Sequence, residues 1–169
     1  MLLKYFKFLL IAFVILFTTP LYSKKDIKNE FNLKTLSNYF SAIIAYDNDQ
    51  NPEALKFFNL SKDLTNKHKP FLKQYIFSLI IDGKVSQAIN KLKSNLKKEN
   101  SVFFETYFLL SLDSILKKNF IKSDEYLEEL SKFKDDGTIE NLIYKTLKNY
   151  NHLFKSKEII PTNFGSLSY

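Results

Sequence analysis

The sequence predicts an all-α protein, an α-solenoid of about three antiparallel helix pairs followed by a C-terminal helix. Three observations lead to this fold class. Apolar residues recur at the three- and four-residue spacing of a helix almost throughout the chain after residue 32. No segment shows the sustained two-residue alternation that is typical of strands. Similar turn sequences recur every 34 or 35 residues, which indicates an internal repeat.

The first 23 residues are predicted to be a signal peptide. Two lysines precede an unbroken apolar run from Phe8 to Phe17, and the sequence becomes strongly polar after Ser23. The charge-free segment from Phe8 to Ser23 is shorter than the roughly 20 residues of a spanning helix, and Pro20 shortens its helical part further. We therefore expect cleavage after Ser23 and export to the periplasm. The alternative is an uncleaved anchor in the inner membrane.

The remainder of the chain divides into three segments. A polar lead-in covers residues 24–32, the helical repeat domain covers residues 33–155, and a tail covers residues 156–169. The tail combines Pro161 and Gly165 with several apolar residues. The sequence leaves open whether this tail is a disordered end, a folded-back plug or the start of a missing part.

The repeat domain contains three predicted helix pairs and one further helix. In the first pair, apolar residues trace one helix face over residues 33–44 and a second face over residues 54–60. The second pair is KPFLKQYIFSLIIDG with KVSQAINKLKSNLKKEN, and the third is SVFFETYFLLSLDSILKK with NFIKSDEYLEELSKFKDD. A last helix is predicted over about residues 138–154.

The three pairs superpose through the turns inside them, NDQNPEA, DGKVSQA and KNFIKS. A small residue then stands near the start of each second helix, a large apolar residue stands four positions later, and a third position lies twelve residues earlier, in the first helix. The small residue lets the helices of a pair approach closely, and the large one fills the space to the next pair. The predicted packing residues at these positions are Ala54, Ala88 and Ser123; Phe58, Leu92 and Leu127; and Ala42, Ile76 and Ser111.

A helix–turn–helix unit with a 34-residue period resembles the tetratricopeptide repeat, over Leu33 to about Phe154. The opening YFSAIIAYDNDQNPEA is similar to the first repeat of exported alphaproteobacterial proteins of this family. Those proteins tend to be longer, which leaves open that the chain holds only their N-terminal repeats. The repeats are degenerate, because other residues occupy the family's early tryptophan and terminal proline positions: Asn38, Leu72 and Tyr107, and Asn66, Asn100 and Asp135.

The resemblance implies a non-catalytic scaffold that binds a peptide or helix of a partner protein. In repeat solenoids, the first helices of successive pairs line the concave surface, which is the usual binding side. The alternative is that these residues pack on each other or on the C-terminal tail. In this chain, the resemblance implies a groove that is apolar and aromatic with one lysine. Its predicted residues are Tyr39, Ile43, Tyr46, Lys73, Phe77, Ile80, Phe108 and Leu112.

One polar stretch begins like an EF-hand calcium loop. Asp47, Asp49 and Asn51 stand at alternate positions, but the loop's required glycine and glutamate positions hold Pro52 and Phe58. We interpret the stretch as a turn followed by a helix start, with Asn51 as the N-cap and Pro52 at the first helical position.

No catalytic, cofactor-binding or metal-binding residue is predicted. His68 and His152 are far apart in sequence and have no evident orienting partner, so both are expected at the surface. The chain has no cysteine, which excludes disulfides, thiol catalysis, zinc–thiolate sites and lipid attachment at a lipobox. We interpret the acidic run SDEYLEEL and the basic run KLKSNLKK as solvated helix faces. For the basic run, contact with anionic lipid or an acidic partner is the alternative.

The net charge of +7 comes from 25 lysines, without any arginine, against 18 acidic residues. Nucleic-acid sites rely on arginine for bidentate contacts, and these lysines are interspersed with acids, so nucleic-acid binding is not expected. Two other functions remain as alternatives to the scaffold. One is a membrane-tethered envelope assembly factor, held by an uncleaved N-terminal helix. The other is an envelope enzyme accessory with an unrecognised site.

Overall fold

The computed structural model describes residues 32–158, and these residues are helical without a strand. The predicted all-α class is thereby confirmed for the described part of the chain. The predicted signal peptide, nearly all of the lead-in, and the tail from residue 159 onward lie outside it. The seven described α-helices are α1 (Leu33–Asp47), α2 (Asn51–Leu60), α3 (Lys69–Ile81), α4 (Val85–Asn95), α5 (Phe104–Leu116), α6 (Phe120–Leu130) and α7 (Ile139–Ser156).

Packing follows the order of the helices along the chain. Helix α1 contacts α2, α3 contacts α4, and α5 contacts α6; we call these the first, second and third pairs. Further contacts join α2 with α3, α4 with α5, and α6 with α7, and α7 also reaches α5. Short 3-10 helices, Lys62–Asn66, Glu99–Ser101 and Ser131–Phe133, follow the second helix of each pair. None of the described helices has the length and apolar character needed to cross a lipid bilayer.

The turns inside the three pairs share one backbone conformation. Each turn has three residues, and its middle residue has a positive φ of 59° at Asp49, 74° at Gly83 and 58° at Lys118. A left-handed residue directly after a helix is a common way for a helix to end. These three residues stand 34 and 35 positions apart, so the period seen in side-chain types is also present in the backbone.

The hydrogen bonds of the three turns are equivalent as well. In each turn, the amide of the middle residue donates to the carbonyl three residues earlier, and the next amide donates to the carbonyl five residues earlier. This double pattern is the Schellman motif, which satisfies carbonyls at the end of a helix. The longer-range donor and acceptor pairs are Gln50 with Ala45 at 2.9 Å, Lys84 with Leu79 at 2.8 Å, and Asn119 with Ser114 at 2.9 Å.

The residues assigned to packing within the repeats are buried. In the third pair, two of them touch directly, because the hydroxyl oxygens of Ser111 and Ser123 form a 3.0 Å hydrogen bond between α5 and α6. Phe58 reaches the second pair, since its ring centroid lies 5.7 Å from that of Phe71 and 6.0 Å from that of Tyr75. The residues without exposed surface are Ala42, Ala54, Phe58, Ala88, Leu92, Ser111 and Ser123, and Leu127 is nearly as buried.

Asn51 links the first and second pairs, and its interpretation as an N-cap was wrong. Helix α2 begins one residue earlier than expected, so Gln50 is its N-cap, and Gln50 makes no side-chain capping bond. The buried Asn51 amide donates to the Ser78 carbonyl at 3.0 Å and accepts from the Ser78 hydroxyl at 2.7 Å. A buried carboxamide needs such partners, and α3 supplies both. Pro52 does lie in the first turn of α2.

Polar contacts also join the later elements. Asp113 of α5 accepts from Lys93 of α4 at 2.9 Å and from Lys117 at 2.6 Å. Burial alone would raise the pKa of Asp113, but the hydrogen bonds and charges of Lys117 and Lys93 outweigh it and hold this pKa below its usual value. In α6, Asp124 accepts from Lys155 of α7 at 2.8 Å. The contact between α4 and α5 and the contact between α6 and α7 therefore each include an ion pair in addition to apolar packing.

Candidate functional site

The eight predicted groove residues lie on α1, α3 and α5, the first helices of the three pairs. Tyr39 is buried, whereas the other seven are half-buried. Helix α1 contacts α3, and an ion pair between Lys73 and Glu105 joins α3 to α5, so the three helices are neighbours. We call the apolar set on these helices the first-helix face: Ile43, Tyr46, Phe77, Ile80, Phe108 and Leu112.

Tyr39 belongs to the core between the first and second pairs. Its ring centroid lies 5.6 Å from that of Phe71 and 6.4 Å from that of Phe58, and its hydroxyl donates to Gln74 Oε1 at 2.9 Å. Burial raises the pKa of the Tyr39 hydroxyl. His68 packs edge-on against the same ring at 5.3 Å and is half-buried rather than fully at the surface. Tyr39 therefore packs in the core, against residues that are not part of the predicted groove.

Lys73 is the single charged residue of the predicted groove, and it is already paired. Its ammonium lies 2.6 Å from Glu105 Oε1, with both side chains partly exposed to solvent. An exposed pair of this kind contributes about 1 kcal/mol or less to stability. It nevertheless neutralises the lysine, so the surface that remains for a ligand is apolar.

Equivalent repeat positions supply the first-helix face. Ile43, Phe77 and Leu112 stand 34 and 35 residues apart, and Tyr46 and Ile80 form a second equivalent set. Phe108 is held by Phe104, whose ring is stacked on it at a centroid distance of 6.2 Å. The repeat therefore presents apolar side chains of the same kind at regular intervals, which suits a ligand with regularly spaced apolar groups.

The calcium-like stretch and the histidines form no cluster of ligands. Within residues 32–158, no group of three or more histidine, aspartate or glutamate side chains is placed to hold a metal ion. Asp47 is the last residue of α1, and Asp49 is the left-handed residue of the turn that follows; both side chains are exposed. His152 lies half-buried on α7.

A cavity beside α3 and α4 was not anticipated from the sequence. It has a volume of about 330 Å³ and is lined by Tyr75, Leu79, Gln87, Asn90, Lys91 and Ser94. We call it the α3–α4 cavity. The one signal in the sequence is the basic run after Lys84, which holds no acidic residue before Glu99. That run does not reveal which residues of α3 form the opposite wall, because the wall depends on how the two helices cross.

No protein-family model, curated protein or solved structure matches the chain.

Proposed function

We propose that the chain is an α-solenoid of three antiparallel, tetratricopeptide-like helix pairs closed by α7, and that it serves as a non-catalytic scaffold for another protein. Packing in chain order supports the solenoid, because each helix mainly contacts its neighbours in sequence. Three equivalent Schellman turns and the buried small residues at matching positions support the repeat. Its ligand is a peptide or an amphipathic helix of the partner protein.

The observation that carries this function is the half-buried state of the first-helix face. Unlike the buried Tyr39, these six apolar side chains keep part of their surface in contact with solvent, and that surface can be covered by a ligand. Covering apolar surface is favourable by about 25 cal/mol per Å². An amphipathic helix in a groove covers such a surface with apolar residues at three- and four-residue spacing.

The proposal includes export to the periplasm through residues 1–23, which lie outside the described residues. N-terminal sequencing of the mature protein tests this part. We expect the mature chain to begin at Lys24. Recovery of the chain with Met1 retained would favour the membrane-tethered alternative.

The scaffold function is tested by removing part of the first-helix face. The variant Phe77→Ala with Leu112→Ala changes two half-buried residues on different helices, so the core around Phe58 and Phe71 is kept. Ile121→Ala on α6 is the matched control, because Ile121 is 72% exposed and lies on a second helix. After crosslinking in the cell envelope, we expect the double variant alone to lose a specific partner while its circular dichroism is unchanged. Retention of the same partner would remove the first-helix face as the binding site.

A further inference from the structure

Three lysines come together near the junction of the first and second pairs. Lys62 begins the 3-10 helix after α2, Lys91 lies on α4, and Lys98 follows α4. Lys98 donates to Asn66 Oδ1 at 2.6 Å and to Asn95 Oδ1 at 3.1 Å, which fixes its ammonium between α4 and that 3-10 helix. We call Lys62, Lys91 and Lys98 the lysine cluster.

The lysine cluster has no acidic partner among residues 32–158, whose ion pairs involve other lysines. Burial, followed by the charges of Lys62 and Lys98, lowers the pKa of Lys91. Because Lys98 bonds to Asn66 and Asn95, which stand four residues after Lys62 and Lys91, the three like charges are neighbours, and an anion placed among them would relieve their repulsion. Elsewhere on α4, the charge of Lys93 is balanced by Asp113.

The α3–α4 cavity lies beside the lysine cluster. Lys91 lines it, with its ammonium 6.0 Å from the ring centroid of Tyr75. The Tyr75 ring is held in place, because its hydroxyl donates to Asn59 Oδ1 at 2.9 Å. Leu79 contributes apolar surface, while the side-chain amides of Gln87 and Asn90 contribute hydrogen-bond donors. The cavity thus combines a cation, neutral donors and apolar walls, a set that suits a carboxylate on a short aliphatic stem.

We propose that the lysine cluster and the α3–α4 cavity bind an acidic segment of a partner protein, with one carboxylate at Lys91 and neighbouring carboxylates at Lys62 and Lys98. The α3–α4 cavity is open to solvent, but its volume of about 330 Å³ can take a side chain, which favours a peptide over a flat membrane surface. This site includes residues of α3, α4 and the 3-10 helix after α2, but none of the six residues of the first-helix face. It is therefore separate from the proposed first-helix face, and an experiment that rules out one of the two sites leaves the other untouched.

The test uses a fluorescein-labelled hexaglutamate peptide and measures its binding to the full-length mature chain by fluorescence anisotropy. The variants are Lys91→Gln and Lys62→Gln, measured separately. The matched control is Lys118→Gln, which removes the same charge from an exposed position in the third turn. Circular dichroism confirms that each variant folds, and Lys62→Gln, at an exposed position, keeps the test valid if Lys91→Gln does not fold.

We expect each cluster variant to weaken peptide binding by about fivefold or more, because each removes one of three neighbouring charges that attract the peptide together, while Lys118→Gln changes it by less than about twofold. Equal weakening in all three variants would overturn the proposal in favour of a general effect of net charge. Absence of peptide binding would also overturn it, and so would binding confined to vesicles of phosphatidylcholine and phosphatidylglycerol, which would indicate a lipid surface.

Discussion

The hydroxyl oxygens of Ser111 and Ser123 lie 3.0 Å apart in the buried contact between α5 and α6. These two residues occupy the repeat positions that Ala42 and Ala54 occupy in the first pair. The third pair therefore uses a satisfied polar contact where the first pair has two alanines. Both pairs have small residues at this contact between helices. A serine can replace an alanine there as long as its hydroxyl has a hydrogen-bond partner.

The hydrogen bond between Ser111 and Ser123 predicts that a single substitution lowers stability and that the double substitution does not. Ser123→Ala alone leaves the Ser111 hydroxyl without its partner in a buried site, which should lower the free energy of unfolding by about 1–2 kcal/mol. Ser111→Ala with Ser123→Ala removes both polar groups and should be close to wild type. Urea denaturation measures both. A double variant as unstable as the sum of the two singles would contradict the equivalence with Ala42 and Ala54.

The shared turn conformation predicts that glycine is the more stable residue at both of two equivalent positions, so removing it and adding it have opposite effects. Gly83→Ala should lower the free energy of unfolding by about 1 kcal/mol, because an L-residue resists its φ of 74°. No atom lies within 4 Å of the added Cβ, so the cost is conformational alone. Lys118→Gly should raise it by up to about 1 kcal/mol for the same reason. Thermal or urea unfolding measures both changes in the free energy of unfolding. A change of the same sign in both variants would contradict the shared turn motif.

The ion pairs of Asp113 predict a pH-dependent contribution to stability. Because its pKa is lowered in the folded state, the contribution is fully present above the unfolded-state pKa of about 3.9 and is lost as pH falls through the folded pKa. Asp113→Asn should therefore cost about 1 kcal/mol at neutral pH and progressively less below about pH 4. Unfolding curves across pH test this. Asp63→Asn, at an exposed position, should change stability by less than about 0.5 kcal/mol at neutral pH. A cost of Asp113→Asn that is constant with pH would sink the explanation.

The contact of Asn51 with Ser78 predicts energetic coupling between the first and second pairs. Each single alanine substitution should cost about 1–3 kcal/mol, and the double variant should cost clearly less than their sum because one removal already breaks the contact. A double-mutant cycle in urea gives the coupling. Asn48→Ala is the control, since its side chain caps only the Ile44 carbonyl at an exposed site and its loss should cost under about 0.5 kcal/mol. Strict additivity would show that the two side chains stabilise separately.

The helical class and the positions of the turns could be predicted from the sequence because both depend on local patterns. Apolar spacing reports the helix period directly, and the alignment of Ala54 with Ala88 and Ser123 marks the same point in each pair. The middle residues of the turns are Asp49, Gly83 and Lys118, so residue type suggests a left-handed conformation at the glycine, less strongly at the aspartate, and not at the lysine. Their common geometry followed from the repeat register and not from their chemistry.

The contacts between pairs could not be predicted in the same way. Burial of Tyr39 depends on where Phe58 and Phe71 from other helices are placed, and helix periodicity gives only the face on which Tyr39 lies. Asn51 looked like a capping residue because the type fits a helix start, yet its amide is used by Ser78, 27 residues away. The α3–α4 cavity likewise depends on the crossing of two helices. Such features follow from three-dimensional packing, which local pattern does not specify.

Binding of the partner by the first-helix face is tested most directly by site-specific photocrosslinking. A photoreactive phenylalanine analogue is placed at Phe77 or at Leu112, on two different first helices, and at Ile121 on α6 as the control. We predict that positions 77 and 112 crosslink the same partner segment in the cell envelope and that position 121 does not. Crosslinking of the partner from position 121 but from neither position 77 nor position 112 would contradict the claim.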